Sequence, residues 1–87
     1  MEFDIEDNLK KLPKSPGVYI MHADDDEIIY IGKAKSLRKR VTSYFRKSAD
    51  HLPKVAKMVS HVNDYDFIVT DSEFEALVLE CSLIKQD

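Results

Sequence analysis

The segment Tyr30-Ile31-Gly32-Lys33-Ala34-Lys35 runs directly into Ser36-Leu37-Arg38-Lys39-Arg40-Val41-Thr42-Ser43-Tyr44-Phe45-Arg46-Lys47, and no other stretch constrains the fold as much. An apolar, strand-like run ends at a glycine, and a helix then opens. Leu37, Val41, Tyr44 and Phe45 stand at i, i+4, i+7 and i+8, the apolar stripe of a helix lying on a core. Arg40 falls three residues after Leu37 and four before Tyr44, at the border of that stripe, so it can reach the sheet surface. Arg38, Lys39, Arg46 and Lys47 are freer to face solvent or a phosphate backbone. Seven of the thirteen Lys and Arg lie between Lys33 and Lys47, and none of the sixteen Asp and Glu does. A solvated helix face is one reading of such a run, but exposed helices usually carry acids one turn from their lysines. Charge of one sign gathered on one face suits a surface aimed at phosphates.

Eighty-seven residues form one domain with a modest core, since a chain this short buries only about 60% of its unfolded surface. With 44% apolar and 33% charged residues, two Gly and three Pro, the chain reads as globular rather than disordered or low-complexity. No apolar run approaches the roughly 20 residues of a membrane span. The acidic start Met1-Glu2-Phe3-Asp4 is unlike a signal peptide, and a cytoplasmic location is expected. The single Cys81 cannot form an internal disulfide and reads as a small apolar residue on a helix. A net charge of −3 argues against nonspecific coating of nucleic acid. Binding must be local.

Taken in order, Ile5, Leu9 and Leu12 give a short amphipathic helix over residues 4–12 that Pro13 ends. Ser15-Pro16-Gly17 signals a turn. Val18-Tyr19-Ile20-Met21 and Glu27-Ile28-Ile29-Tyr30-Ile31 then flank a polar break, the pattern of a β-hairpin. If residues 23–26 form a four-residue loop, His22 faces Glu27 and Tyr19 faces Tyr30, with both phenols on one face of the sheet. Cross-strand aromatic packing alone would account for such a pair. Beyond a loop ending at Pro53, the residues Val55, Met58, Val59 and Val62 mark another amphipathic helix. His51 and His61 lack the clustered donors of a metal site. Asp24-Asp25-Asp26 lacks the spaced ligands of a calcium loop and reads as a solvated turn. Tyr65-Asp66-Phe67-Ile68-Val69-Thr70 is a third strand, and Ser72-Glu73-Phe74-Glu75 matches a capping box opening a helix to about Lys85. Its expected core residues are Phe74, Leu77, Val78, Cys81 and Ile84. Glu80 then projects near the buried stripe, which is costly for an unpaired charge. Arg40, Lys33 or a divalent metal could relieve it, as a structural salt bridge or as a functional site.

The residues also resemble a known family. Gly17-Val18-Tyr19, eleven residues before Tyr30-Ile31-Gly32, is similar to the paired signature of the GIY-YIG nucleases, with valine in place of the central isoleucine. Gly32-Lys33-Ala34-Lys35-x-Leu37-x-x-Arg40, Ser43-Tyr44-Phe45, and Glu75-Ala76-Leu77-x-Leu79-Glu80-x-x-Leu83-Ile84-Lys85 narrow the resemblance to the N-terminal UvrC-type domains of bacterial nucleotide excision repair. It covers nearly the whole chain, in order. It implies an α+β fold, a three-stranded antiparallel sheet flanked by helices, and a metal-dependent endonuclease cutting damaged double-stranded DNA on the 3′ side of a lesion. By the same resemblance Glu80 is the ligand of one Mg²⁺ or Mn²⁺, Arg40 contacts the scissile phosphate, Tyr19 and Tyr30 lie in the active site, and Lys33 and Tyr44 complete its wall. Lys33, Lys35, Arg38, Lys39, Arg46 and Lys47 are read as DNA contacts. Damage is located by partners, with a UvrB–DNA complex engaged through regions outside this chain. The chain stops at Gln86-Asp87, whereas family members continue into a segment with a further site asparagine, so a monomeric fragment of a longer protein is expected.

The chemistry suits these side chains: a metal on Glu80 as Lewis acid, and Arg40 as a fork on the nonbridging oxygens. A free tyrosine, with a pKa near ~10, needs a downward shift to act as base, and Tyr30 is the expected base with Tyr19 orienting it. Alternatives are a DNA-binding module without turnover, a structure-specific or homing-type nuclease of the same family, and a protein-interaction adaptor. The adaptor would leave the basic helix unexplained.

Overall fold

The computed structural model describes residues 5–46 and 52–85. Along the chain run α1 (Ile5–Leu9), β1 (Gly17–His22), β2 (Ile28–Ala34), α2 (Leu37–Phe45), α3 (Pro53–Ser60), β3 (Asp64–Val69) and α4 (Glu73–Lys85). The strands form an antiparallel sheet in the order β2-β1-β3. The sheet with flanking helices agrees with the sequence expectation. Regular helix in α1 ends at Leu9, earlier than expected, and single-turn bonds from Lys11 and Leu12 to the carbonyls of Asn8 and Leu9 carry the chain to Pro13. The residue before a proline resists helical geometry.

β1 is central, and Gly17, Val18, Tyr19 and Met21 are buried along it. On one face Tyr19, Met21, Ala34 and Tyr65 pack with Leu12 and with Leu37, Val41 and Tyr44 of α2, while Val55, Met58 and Val59 of α3 lie against the same cluster. Side chains alternate along a strand, so Val18 faces the other way, where α4 packs on β1 and β2 and contributes the fully buried Ala76. Edge strand β2 is therefore the margin where the two helical layers meet. α2 starts at Ser36, whose Oγ accepts the Lys39 N–H, while Leu37 and Arg38 N–H donate to the carbonyls of Ser15 and Pro13.

Both glycines are close-approach positions. A Cβ on Gly17 would strike the Ile68 carbonyl of β3, and one on Gly32 would strike the ring and hydroxyl of Tyr19. The glycine of each three-residue signature thus makes room for a neighbouring strand or ring.

The hairpin register differs from expectation by one residue at His22 and by two from Met21 onward. Observed partners are His22 with Ile28, Met21 with Tyr30 and Tyr19 with Gly32. Ala23 N–H bonds the Glu27 carbonyl across a 3₁₀ turn at Asp24–Asp26, so Glu27 belongs to the loop. Asp25 and Asp26 adopt positive φ, which aspartate tolerates better than most side chains. Ile29 then bulges from the ladder between Ile28 and Tyr30. A slip of two preserves the face, so Tyr19 and Tyr30 still share one side of the sheet, as diagonal neighbours.

α4 departs further from expectation. Phe74 is 72% exposed and Ile84 59%, and Leu77, Val78 and Cys81 are also exposed. Ala76, Leu79, Glu80 and Leu83 face the sheet instead. The helix is apolar nearly all round, so periodicity alone could not select its inner face. Small Ala76 permits close approach, and the same rotation turns Glu80 inward. Outside, Ile68, Val69, Phe74 and Val78 line an open cleft of about 620 Å³ at the β3 edge.

Candidate active site

Three phenols gather on the face covered by α2. Tyr19 comes from β1, its ring over Gly32; Tyr30 comes from edge strand β2; Tyr44 comes from the last turn of α2. Ring centroids are separated by 6.0 Å for Tyr19 and Tyr30, 5.8 Å for Tyr19 and Tyr44, and 6.3 Å for Tyr30 and Tyr44. The Tyr19 and Tyr44 hydroxyls hydrogen-bond at 2.8 Å. Arg40, one turn before Tyr44, donates from Nε to Tyr19 Oη at 3.4 Å, and its guanidinium carbon lies 5.4 Å from the Tyr44 ring centroid. That cation–π contact holds a charged group at the protein surface, with no carboxylate partner among the described residues.

The phenols differ in access. Tyr19 and Tyr44 are 1% and 7% exposed, whereas Tyr30 is 39% exposed and is the one that solvent or a ligand can reach. Burial pushes the Tyr19 hydroxyl far above the ordinary tyrosine range, and its bond to Tyr44 adds to this. Burial also raises Tyr30, with Tyr44 reinforcing the shift and the Tyr19 hydrogen bond and Arg40 opposing it. The hydrogen bond to Tyr19 strengthens the hold of Arg40 on its proton. The downward shift expected for a tyrosine base is absent from the protein alone. Desolvation of a phenolate outweighs one half-exposed guanidinium.

Glu80 reaches the same place from the opposite layer. Its Oε2 accepts the Lys33 backbone N–H at 2.9 Å, an amide on the outer edge of β2. Of the cations considered for Glu80, Arg40 is engaged with Tyr19 and Tyr44, and the Lys33 ammonium lies 3.6 Å from Glu73 instead. Among the described residues no ion pair involves Glu80. A carboxylate fixed through one oxygen by a backbone amide, with no ion pair among the described residues, is a hard-oxygen donor of the kind Mg²⁺ and Mn²⁺ take singly while keeping several waters. Among the described residues there is no group of three or more His, Cys, Asp and Glu that could hold a metal. The donors fit an ion held by one carboxylate and not an all-protein cage.

Beside this junction lies a groove of about 460 Å³ lined by Lys33, Lys35, Ser36, Lys39, Arg40, Ser43 and Glu73. Lys35 and Lys39 are exposed there, and Arg46 is exposed just after α2. Arg38 turns elsewhere, its Nε donating to the Leu12 carbonyl at 2.7 Å and Nη2 to the Lys10 carbonyl at 3.0 Å. It ties α2 to the segment after α1. Lys47 and His51 lie outside the described residues. Glu73 is the residue that sequence reasoning passed over, as an interior position of the capping box. Its signal was the seven-residue interval to Glu80, which puts both on one face of a helix.

An antiparallel sheet with clustered tyrosines on one face, a surface arginine beside them and a carboxylate held by the amide of its edge strand defines a small domain with groups suited to a divalent ion and a phosphate. The sequence model of the UvrC-like GIY-YIG domain matches residues 15–87, and the chain belongs to that family. UvrABC system protein C of Alkaliphilus oremlandii is 55% identical over 85 residues, covering 98% of this chain and 14% of that protein. The protein of the same name from Moorella thermoacetica is 59% identical over 83 residues, covering 95% and 13%. Among solved structures, the GIY-YIG N-terminal endonuclease domain of UvrC from Thermotoga maritima, bound to its catalytic magnesium, superposes with a TM-score of 0.80 at 36% identity, covering 98% of this chain and 91% of that one. Variants of that domain with a tyrosine changed to phenylalanine also bind the catalytic divalent cation. The chain spans about 14% of the length of these curated relatives.

Proposed function

We propose that this chain is a divalent-metal-dependent endonuclease domain, one module of a longer protein, that hydrolyses a DNA phosphodiester on the 3′ side of a lesion during nucleotide excision repair. One observation carries the reading: the Tyr19 ring against Gly32 and the Glu80 carboxylate on the amide of Lys33 converge on adjacent residues of an open strand edge. A purely DNA-binding surface has no need of both.

In this reading Glu80 holds one Mg²⁺ or Mn²⁺, which when bound supplies Lewis acidity at the phosphate. Arg40 presents its outward guanidinium donors to the nonbridging oxygens. Tyr30, the exposed phenol, orients the attacking water and takes its proton. Tyr19, locked between Arg40 and Tyr44, keeps its own proton and fixes the cluster. Lys33, Lys35 and Lys39 line the path of the strand, and Arg46 extends it. Damaged duplex is delivered by partner proteins such as a UvrB-type subunit, in the bacterial cytoplasm, and the domain acts as a monomer. Among the described residues no helix is long and apolar enough to cross a membrane.

The test is single-turnover cleavage of a lesion-bearing duplex by the full-length protein with its partners. Glu80→Gln is expected to abolish cleavage and keep DNA affinity, and Tyr30→Phe to slow it by roughly 10²–10⁴. Because Tyr30 is raised, its phenolate is scarce at pH 7, so the wild-type rate should climb about tenfold per pH unit above neutrality and Tyr30→Phe should flatten that slope. If Tyr30→Phe cleaves normally while Tyr19→Phe does not, the two roles are exchanged. Cleavage that survives Glu80→Gln overturns the reading.

A further inference from the structure

Lys33 is gripped at two points by one helix. Its backbone N–H is donated to Glu80, and its ammonium lies 3.6 Å from Glu73 Oε1. Glu73 and Glu80 stand two turns apart on α4, about 10 Å along the axis, so two carboxylates hold opposite ends of the same lysine. The Lys33 and Glu73 side chains are 38% and 43% exposed, and an ion pair so wetted adds little to stability. Its consequence is where it leaves the ammonium. The lysine stem is flexible and begins one bond from the amide that Glu80 grips, so the ammonium has a choice between two anions. One choice places it in the basic groove, where Glu73 is the sole carboxylate among the lining residues. The other places it on Glu80, neutralising that carboxylate.

We propose that Glu73 is a positioning residue that holds the Lys33 ammonium in the groove and so leaves Glu80 anionic and open for the divalent ion. The inference rests on the metal-site reading given above. Glu73 touches neither metal nor phosphate. It acts through Lys33, and its removal releases a competitor that sits closer to Glu80 than any cation in solution.

The experiment measures Mn²⁺ affinity of the chain by water-proton relaxation, together with the carboxyl ¹³C shift of Glu80 in the absence of metal. Wild type, Glu73→Gln, Lys33→Met, the double variant and Glu80→Gln are compared. Glu73→Gln is expected to weaken Mn²⁺ binding about three- to tenfold and to move the Glu80 resonance, and adding Lys33→Met should restore both. Glu73→Asp, which keeps the charge, should recover much of the wild-type affinity. Unchanged affinity and an unmoved resonance in Glu73→Gln overturn the proposal. Loss that Lys33→Met fails to restore also overturns it, and assigns the effect to the helix terminus instead. If the wild type binds no Mn²⁺, the metal-site reading itself fails, and the ¹³C shift still decides whether Glu73 keeps Lys33 off Glu80.

Discussion

Gly32 sets the distance between the tyrosine cluster and the sheet, because the Tyr19 ring occupies the space a side chain would need. Gly32→Ala must displace a fully buried ring that is bonded to Tyr44 and Arg40. The expected cost is about 1–3 kcal/mol, the usual range for overpacking, seen as a lower Tm by calorimetry. A second prediction concerns protons. Tyr65 is pushed up to about 12 by burial, and Tyr19 and Tyr30 are raised as well. A phenol raised in the folded state contributes stability that is complete below its unfolded value of about 10 and is lost as pH climbs through the folded value. Stability measured by urea titration should therefore be flat from pH 7 to 9 and fall steeply between about pH 10 and 12. Tyr65→Phe should shed part of that fall. At this scale the sequence pointed to side chains that the structure brings close together. Tyr19, Tyr30 and Arg40 were legible from the spaced signature and from the helical phase of α2, and Glu80 from the family resemblance rather than from the phase of α4. Their protonation was not, because it follows from burial that no spacing encodes.

At the level of elements, the basic helix divides its labour. Arg38 spends its guanidinium on the Leu12 and Lys10 carbonyls, whereas Lys39 opens on the groove. Arg38→Ala is expected to cost about 1–3 kcal/mol, the worth of charge-assisted hydrogen bonds, and to leave the salt dependence of DNA binding unchanged. Lys39→Ala should leave Tm alone and reduce the slope of log affinity against log salt by about one. The opposite pattern would place Arg38 on the DNA. Strand and helix positions could be read from the chain, yet two relations between elements could not. Hairpin register turned on whether Glu27 and Ile29 belonged to the ladder, a matter of turn geometry at Asp25 and Asp26. The inner face of α4 turned on Ala76 and Glu80, small and polar residues, because apolar side chains surround the helix and offer no contrast.

For the whole molecule, two layers that share no sequence neighbourhood build one site, with phenols and arginine from the α2 side and the carboxylate from the α4 side. They come together at edge strand β2, where a strand amide donates to Glu80. That bond has a second effect, on solubility. A strand at the margin of a sheet exposes amides able to pair with another chain, and Glu80 covers one of them with a charged group. Glu80→Gln keeps an oxygen for the amide. Glu80→Ala uncovers it on an edge strand that also carries the exposed Ile28, and light scattering should then show concentration-dependent association that Glu80→Gln lacks. The residue proposed to serve the chemistry would thus also keep copies of the domain apart, and a deletion there must be separated from clumping before it is read as lost catalysis.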